Sequence, residues 1–308
     1  GNQTLTGRVI INPPAELTLL SGSPDAVLCV EITWTQNIRY SFGGSATGID
    51  LVALNNDLPD GITASVSGNV VTISGTPALT VEAGDYTYTI TTTGAEAPCE
   101  NISRTGVISI STNATLVLTS AAGTDNQNIC MPGTFTNIVY TYGGGATGID
   151  EDALRNDLPA GLSFTVNHTA QTVTIYGTPT ETGVFPYTVI TTGIIPPCKP
   201  EEKQGTITLR PSAELEIAGN ANQNFCLGGS LSDIVFTYGG GATDVAIVGG
   251  TLPDGINAIS DAGNHTMTLS GTPVHAGTFT FNVTTTGAIS PCTDVVIPVS
   301  ITVYETPD

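Results

Sequence analysis

Tyr140-Thr141-Tyr142-Gly143-Gly144 alternates aromatic and polar residues and then runs into glycine, and the chain repeats this pattern twice elsewhere. Tyr40-Ser41-Phe42-Gly43-Gly44 stands about a hundred residues upstream, and Phe236-Thr237-Tyr238-Gly239-Gly240 about a hundred downstream. Each copy is followed by Leu-Pro-x-Gly, at Leu58 to Gly61, Leu158 to Gly161 and Leu252 to Gly255. Gly-Thr-Pro comes next, at Gly75 to Pro77, Gly177 to Pro179 and Gly271 to Pro273. Beyond it lies an alternating run: Tyr86 to Ile90, Phe185 to Val189, and Phe279 to Val283. Three motifs kept in one order in all three places define an internal repeat.

Within a repeat the hydrophobic period is two. In the Tyr86 run, Tyr86, Tyr88 and Ile90 fall on one face while Thr87, Thr89 and Thr91 fall on the other, the mark of a half-buried strand. Seven or so such runs, split by Gly, Pro and Asn turns, predict an all-β immunoglobulin-like two-sheet sandwich in each repeat. Asp50 to Asp57 and its counterpart Asp150 to Asp157 are the helical candidates. The predicted units span 15–111, 112–211 and 212–308. Residues 1–14 read as the last strand of a preceding unit, because Gly7-Arg8-Val9-Ile10-Ile11 resembles the closing runs at Gly106 and Gly205. The joints Asn12-Pro13-Pro14, Ser111-Thr112-Asn113 and Arg210-Pro211-Ser212 are short, and proline stiffens two of them. An extended rod is expected.

Lys and Arg number 7 against 27 Asp and Glu, a formal net charge of -20. Such a field repels phosphate backbones and anionic bilayers, which excludes nucleic acid as a partner. No run reaches the 18 to 20 apolar residues of a spanning helix, so membrane insertion is not expected. The 40% apolar content is enough for real cores. Six cysteines without a C-x-x-C pair read as disulfides, hence as an oxidising compartment outside the cytoplasm. Each repeat has one early and one late cysteine: Cys29 and Cys99, Cys130 and Cys198, Cys226 and Cys292. Fifteen pairings are possible. Repeat symmetry favours one bridge inside each unit, withholding much of that unit from extension under force.

Catalytic chemistry finds no motif. His168, His265 and His275 do not occupy matching positions, and no nucleophile–base pattern is present, so the chain is read as a non-enzyme without cofactor or metal. Asp57, Asp60, Asp150, Asp152 and Asp157 lie near predicted loops, but they do not form a calcium loop and read as a solvated acidic face. Gly143 to Thr147 lacks the lysine and helix of a phosphate cradle. Most aromatics fall in the two repeated strand positions and are assigned to cores, as is the single tryptophan, Trp34, five residues after Cys29.

The ordered set Asn137 to Gly148, Leu158 to Leu162, Ile175 to Pro179, Tyr187 to Gly193 and Cys198 resembles the PKD-like, Ig-like repeats of giant cell-surface adhesins of Bacteroidota, of the SprB gliding-motility type. The resemblance covers all three units. It implies export by type IX secretion, display at the outer surface, and a role in adhesion or gliding. The partners it implies are neighbouring repeats, outer-membrane motility or secretion machinery, or an external polysaccharide. The third unit departs from the pattern, with Asp244-Val245-Ala246 where the others have Gly-Ile-Asp. A structural filament segment is the expected role; a glycan-binding module and an accessory region of a secreted enzyme are the alternatives.

Overall fold

The computed structural model describes residues 3, 6–9 and 11–306. Its strands fall into three groups of eight. The first comprises β1 (Glu16–Ser21), β2 (Ala26–Cys29), β3 (Ile38–Gly43), β4 (Gly48–Ile49), helix α1 (Leu51–Asp57), β5 (Ile62–Ser67), β6 (Val70–Gly75), β7 (Gly84–Thr93) and β8 (Ser103–Ser111). The second comprises β9 (Ala114–Leu118), β10 (Asn126–Met131), β11 (Ile138–Gly144), β12 (Gly148–Ile149), helix α2 (Glu151–Asp157), β13 (Leu162–Asn167), β14 (Thr172–Gly177), β15 (Gly183–Thr192) and β16 (Glu202–Pro211). The third comprises β17 (Ala213–Ala218), β18 (Asn222–Cys226), β19 (Leu231–Gly240), β20 (Asp244–Val248), β21 (Ile256–Asp261), β22 (Thr266–Gly271), β23 (Gly277–Thr286) and β24 (Val296–Tyr304).

Every group folds alike. In the first, one sheet has the order β1-β3-β6-β5 and the other β2-β8-β7-β4, with β2 parallel to β8 and the other neighbours antiparallel. That strand order is the immunoglobulin sandwich with a split first strand. The repeated aromatics supply the filling: Tyr40, Phe42 and Tyr88 in the first core, Tyr140, Tyr142 and Tyr187 in the second, Phe236, Tyr238 and Phe281 in the third. Leu-Pro-x-Gly and Gly-Thr-Pro prove to be one feature, facing each other at the open end of a hairpin. Ile62 pairs with Gly75, Leu162 with Gly177 and Ile256 with Gly271.

The helical candidates of the first two units form as α1 and α2, each capped by an aspartate: Asp50 and Asp150 accept from the amides of Ala53 and Ala153 at 3.0 Å. The third unit has Ala246 at the capping position, followed by β-branched Ile247 and Val248, and the chain continues as β20. Asp57 and Asp157, at the other ends of the helices, accept from the backbone of Thr89 (3.1 Å) and Thr188 (3.0 Å), tying helix to sheet.

Among the described residues, no apolar cluster crosses from one unit to the next. The accessible surface is 16608 Å². A single globule of this mass would expose about 12,000 Å², and three separate globules of a third the mass about 16,000 Å² together. The units therefore bury little against one another.

Buried tyrosines distinguish the units chemically. The Tyr187 hydroxyl donates to the Asp125 carbonyl (3.2 Å) and receives the Tyr140 hydroxyl (3.1 Å), and the Tyr88 hydroxyl donates to the Pro24 carbonyl (2.9 Å). Burial pushes Tyr88, Tyr187, Tyr40 and Tyr140 above the ordinary phenol range. The fold keeps these groups protonated, whereas an unfolded chain ionises them above about pH 10. Stability is thus intact below about pH 10 and falls as pH climbs beyond it. The third unit has Phe236 and Phe281 in these places. Calorimetry from pH 9 to 12 is expected to show the first two units losing stability ahead of the third; three transitions falling together would refute this.

Candidate functional site: the joints between units

The predicted pairing of cysteines within units is overturned. Cys29 is bonded to Cys198 and Cys130 to Cys292, with Cα separations of 5.2 and 5.0 Å, so each bridge joins one unit to the next. Strand geometry gives the reason. Cys29 ends β2 in register with Ser111, the last residue of β8, whereas Cys99 lies in the turn before β8 begins. The two are separated by the length of a nine-residue strand, roughly 30 Å, far beyond disulfide reach. The early cysteine sits at the pole where the chain leaves its unit, and the late cysteine at the pole where the chain enters. They meet only across a joint. Cys99 and Cys226, expected in bridges, are free thiols among the described residues. The mechanical expectation built on internal bridges falls with them.

Backbone hydrogen bonds fix the chain where it enters each unit, beside the two bridges and ahead of the first unit. Ser45, Gly145 and Gly241, next to the repeated glycines, donate their amides to the linker carbonyls of Pro14 (3.4 Å), Asn113 (3.3 Å) and Ser212 (2.7 Å). Gly44, Gly144 and Gly240 have positive φ of 67°, 62° and 60°. A Cβ on any of them would strike the carbonyl of Pro14, Asn113 or Ser212. The glycine run gives the linker room to lie against the strand. In the second joint the Asn128 amide donates to the Ser290 carbonyl across the boundary (3.2 Å), while its Oδ1 receives Arg210 Nε (3.0 Å). In the first joint Asn113 Oδ1 receives the Lys199 amide at 3.0 Å, close to the bridge.

Trp34 packs on the first core and also lines a cleft at this joint with Leu28, Ile32, Pro196 and Pro197. Its sequence counterparts Phe135 and Leu231 are buried. His168 and His265, offset in sequence, each reach the equivalent tyrosine of their own unit: His168 Nδ1 lies 3.1 Å from the Tyr142 hydroxyl, and His265 stacks on Tyr238. His275 lies apart from both, 3.8 Å from the Asp254 carboxylate on the surface. Among the described residues, no group of three or more His, Cys, Asp or Glu stands close enough to hold a metal ion. Among the described residues, no helix is long and apolar enough to cross a membrane. In the stretch 1–14, Gly1, Asn2, Thr4, Leu5 and Ile10 lie outside the described residues. The described residues of that stretch are not assigned to a strand.

No protein-family model matches the sequence, and no curated protein does. Among solved structures, the chain is similar to the I9–I11 tandem of titin at 11% identity, covering 94% of this chain and 100% of that one, with a TM-score of 0.33. It is similar to the D1–D4 ectodomain fragment of ICAM-5 at 10% identity, covering 94% and 77%, TM-score 0.46. An endo-fucoidan hydrolase of glycoside hydrolase family 107 matches at 16% identity, over 91% of this chain and 43% of its own, TM-score 0.22. The fold assignment stands on the strand order, to which these likenesses add nothing. Two disulfides place the chain outside the reducing cytosol.

Proposed function

We propose that this chain is a non-catalytic, load-bearing spacer in an extracellular surface filament, serving adhesion or gliding at a bacterial outer surface. The observation that carries the reading is the covalent bridge across each of the two joints between units, reinforced by a linker hydrogen-bonded to glycine-lined backbone. A structure selected for binding would invest its specific bonds in a pocket. Here they lie where one unit meets the next. The acidic charge opposes lateral collapse of such units and keeps them extended. Display through type IX secretion, and contact with motility machinery or an external polysaccharide, belong to this proposal through the adhesin resemblance alone.

Solution scattering tests the architecture. Three units end to end, each about as long as its ten-residue strands, make a rod of roughly 105 Å with a radius of gyration of roughly 30 Å. A single compact globule of this length would give about 19 Å. A value near the latter would end the spacer reading.

A further inference from the structure

The first joint is built differently from the second, and the differences gather around one cleft. In the second joint Asn128 bonds across the boundary to the Ser290 carbonyl. The counterparts, two residues before Cys29 and Cys198, are Val27 and Pro196, and Val27 has no side-chain donor to offer. The second and third units also hold the segment after the early cysteine with a glutamine. Gln127 donates to the Thr136 carbonyl (2.7 Å) and accepts the Thr136 amide (2.9 Å), and Gln223 does the same with Ser232 (2.7 and 3.0 Å). The first unit has Ala26 at that position. Its segment is also longer by a residue: two residues separate Phe135 from Ile138 and Leu231 from Ile234, but three separate Trp34 from Ile38.

Trp34 keeps its place on the backbone. Its amide donates to the Gly75 carbonyl at 3.0 Å, as Leu231 pairs with Gly271. Phe135 and Leu231 are buried there, whereas Trp34 is half-buried. Trp34, Val27, Ile32, Pro196 and Pro197 wall a cleft of about 530 Å³, within the size range of small-ligand sites. Thr35 and Gln36, both exposed, line it too and are shared with an adjoining pocket of about 350 Å³ that Asn37 and Arg39 complete. Asn37 Oδ1 is buried and has no hydrogen-bond partner among the described residues. A buried acceptor without a donor is destabilising, and a ligand hydroxyl would relieve it.

We propose that this cleft binds a neutral glycan chain, one pyranose ring lying on the Trp34 indole and the next reaching toward Asn37. A pyranose has an apolar face of C–H groups that packs on an aromatic ring, and an edge of hydroxyls that both donate and accept. Thr35 and Gln36 suit that edge, and Asn37 Oδ1 receives a hydroxyl. A proline-rich peptide would also pack on the indole, but proline brings no backbone N–H to Asn37. Among the described residues no charged group lines the Trp34 cleft, and a net charge of -20 repels acidic polysaccharides. The site does not depend on the spacer role. Scattering tests the rod and a sugar titration tests the cleft, so either can fail alone.

Trp34 is the only tryptophan of the chain, so its fluorescence reports on the cleft directly. Cellohexaose, laminarihexaose and mannohexaose are titrated in turn, and at least one is expected to give a saturable change with a Kd between about 10 μM and 1 mM. Glucose is expected to bind at least about tenfold more weakly, since it fills one pocket only. Two variants follow by calorimetry: Trp34→Leu, which copies the third unit, and the double change Val27→Asn with Pro196→Ser, which copies the second joint. Each is expected to weaken binding at least about tenfold while melting within a few degrees of the native chain. The proposal is overturned if none of the three hexasaccharides moves the emission, if glucose binds as tightly as they do, or if either variant binds like the native chain. It is equally overturned if decaproline or hexagalacturonate binds more tightly than all three.

Discussion

Pulled by its two ends under oxidising conditions, the chain will stop extending near 400 Å, well short of its contour. The two bridges interleave: one closes 169 residues from Cys29 to Cys198, the other 162 from Cys130 to Cys292, and they overlap between Cys130 and Cys198. The shortest covalent path therefore runs from the N-terminus to Cys29, crosses to Cys198, returns along the chain to Cys130, crosses to Cys292 and leaves. That path holds about 110 residues at about 3.5 Å each. With the bridges reduced, the same chain can reach roughly 1,050 Å. The middle unit has its strands from Cys130 to Cys198 on the taut path, while most of the first and third units is shielded from load. A force–extension trace exceeding the lower limit before reductant is added would contradict the interleaved connectivity.

Replacing Gly205 with valine will cost the middle unit about 3 kcal/mol, and two further changes to phenylalanine will restore most of it. Gly205 lies in register with Tyr187 on the neighbouring strand. A Cβ there would lie well inside contact distance of the Tyr187 ring and of the Asp125 carbonyl that receives its hydroxyl. Gly106 stands in the same relation to Tyr88 and the Pro24 carbonyl. The third unit shows the other solution: Phe281 faces Val299, which is buried, and the nearby backbone bond from Ser300 to the Ala221 carbonyl survives at 3.0 Å. Its counterpart, Thr206 to Asp125, is also 3.0 Å. Without a hydroxyl to seat, the pocket has room for a side chain. Tyr187→Phe alone leaves the Tyr140 hydroxyl without a partner, while the Asp125 carbonyl keeps the Thr206 amide, and is expected to cost about 1 to 2 kcal/mol. The triple variant Tyr140→Phe, Tyr187→Phe, Gly205→Val copies the third unit and should melt within a few degrees of the native chain. Simple addition of the separate losses would show that glycine and tyrosine are not coupled.

Much of this protein was written locally. The order of motifs gave the unit and its copies, the period of two gave the strands, and Asp50 and Asp150 marked two short helices whose absence from the third unit follows from Ala246. The aromatics assigned to cores are in them. These features depend on neighbours in the chain, or on a rule each unit obeys by itself, so one sequence suffices to read them. Pairing of the cysteines does not work that way. A repeat with one early and one late cysteine is equally consistent with a bridge inside the unit and a bridge to the next. The choice turns on β2 running parallel to β8, which places the early cysteine at the exit pole, a strand's length from its partner in sequence. Parallel pairing joins residues some eighty apart and has no local signature. Folding alone decided where the sulfurs meet.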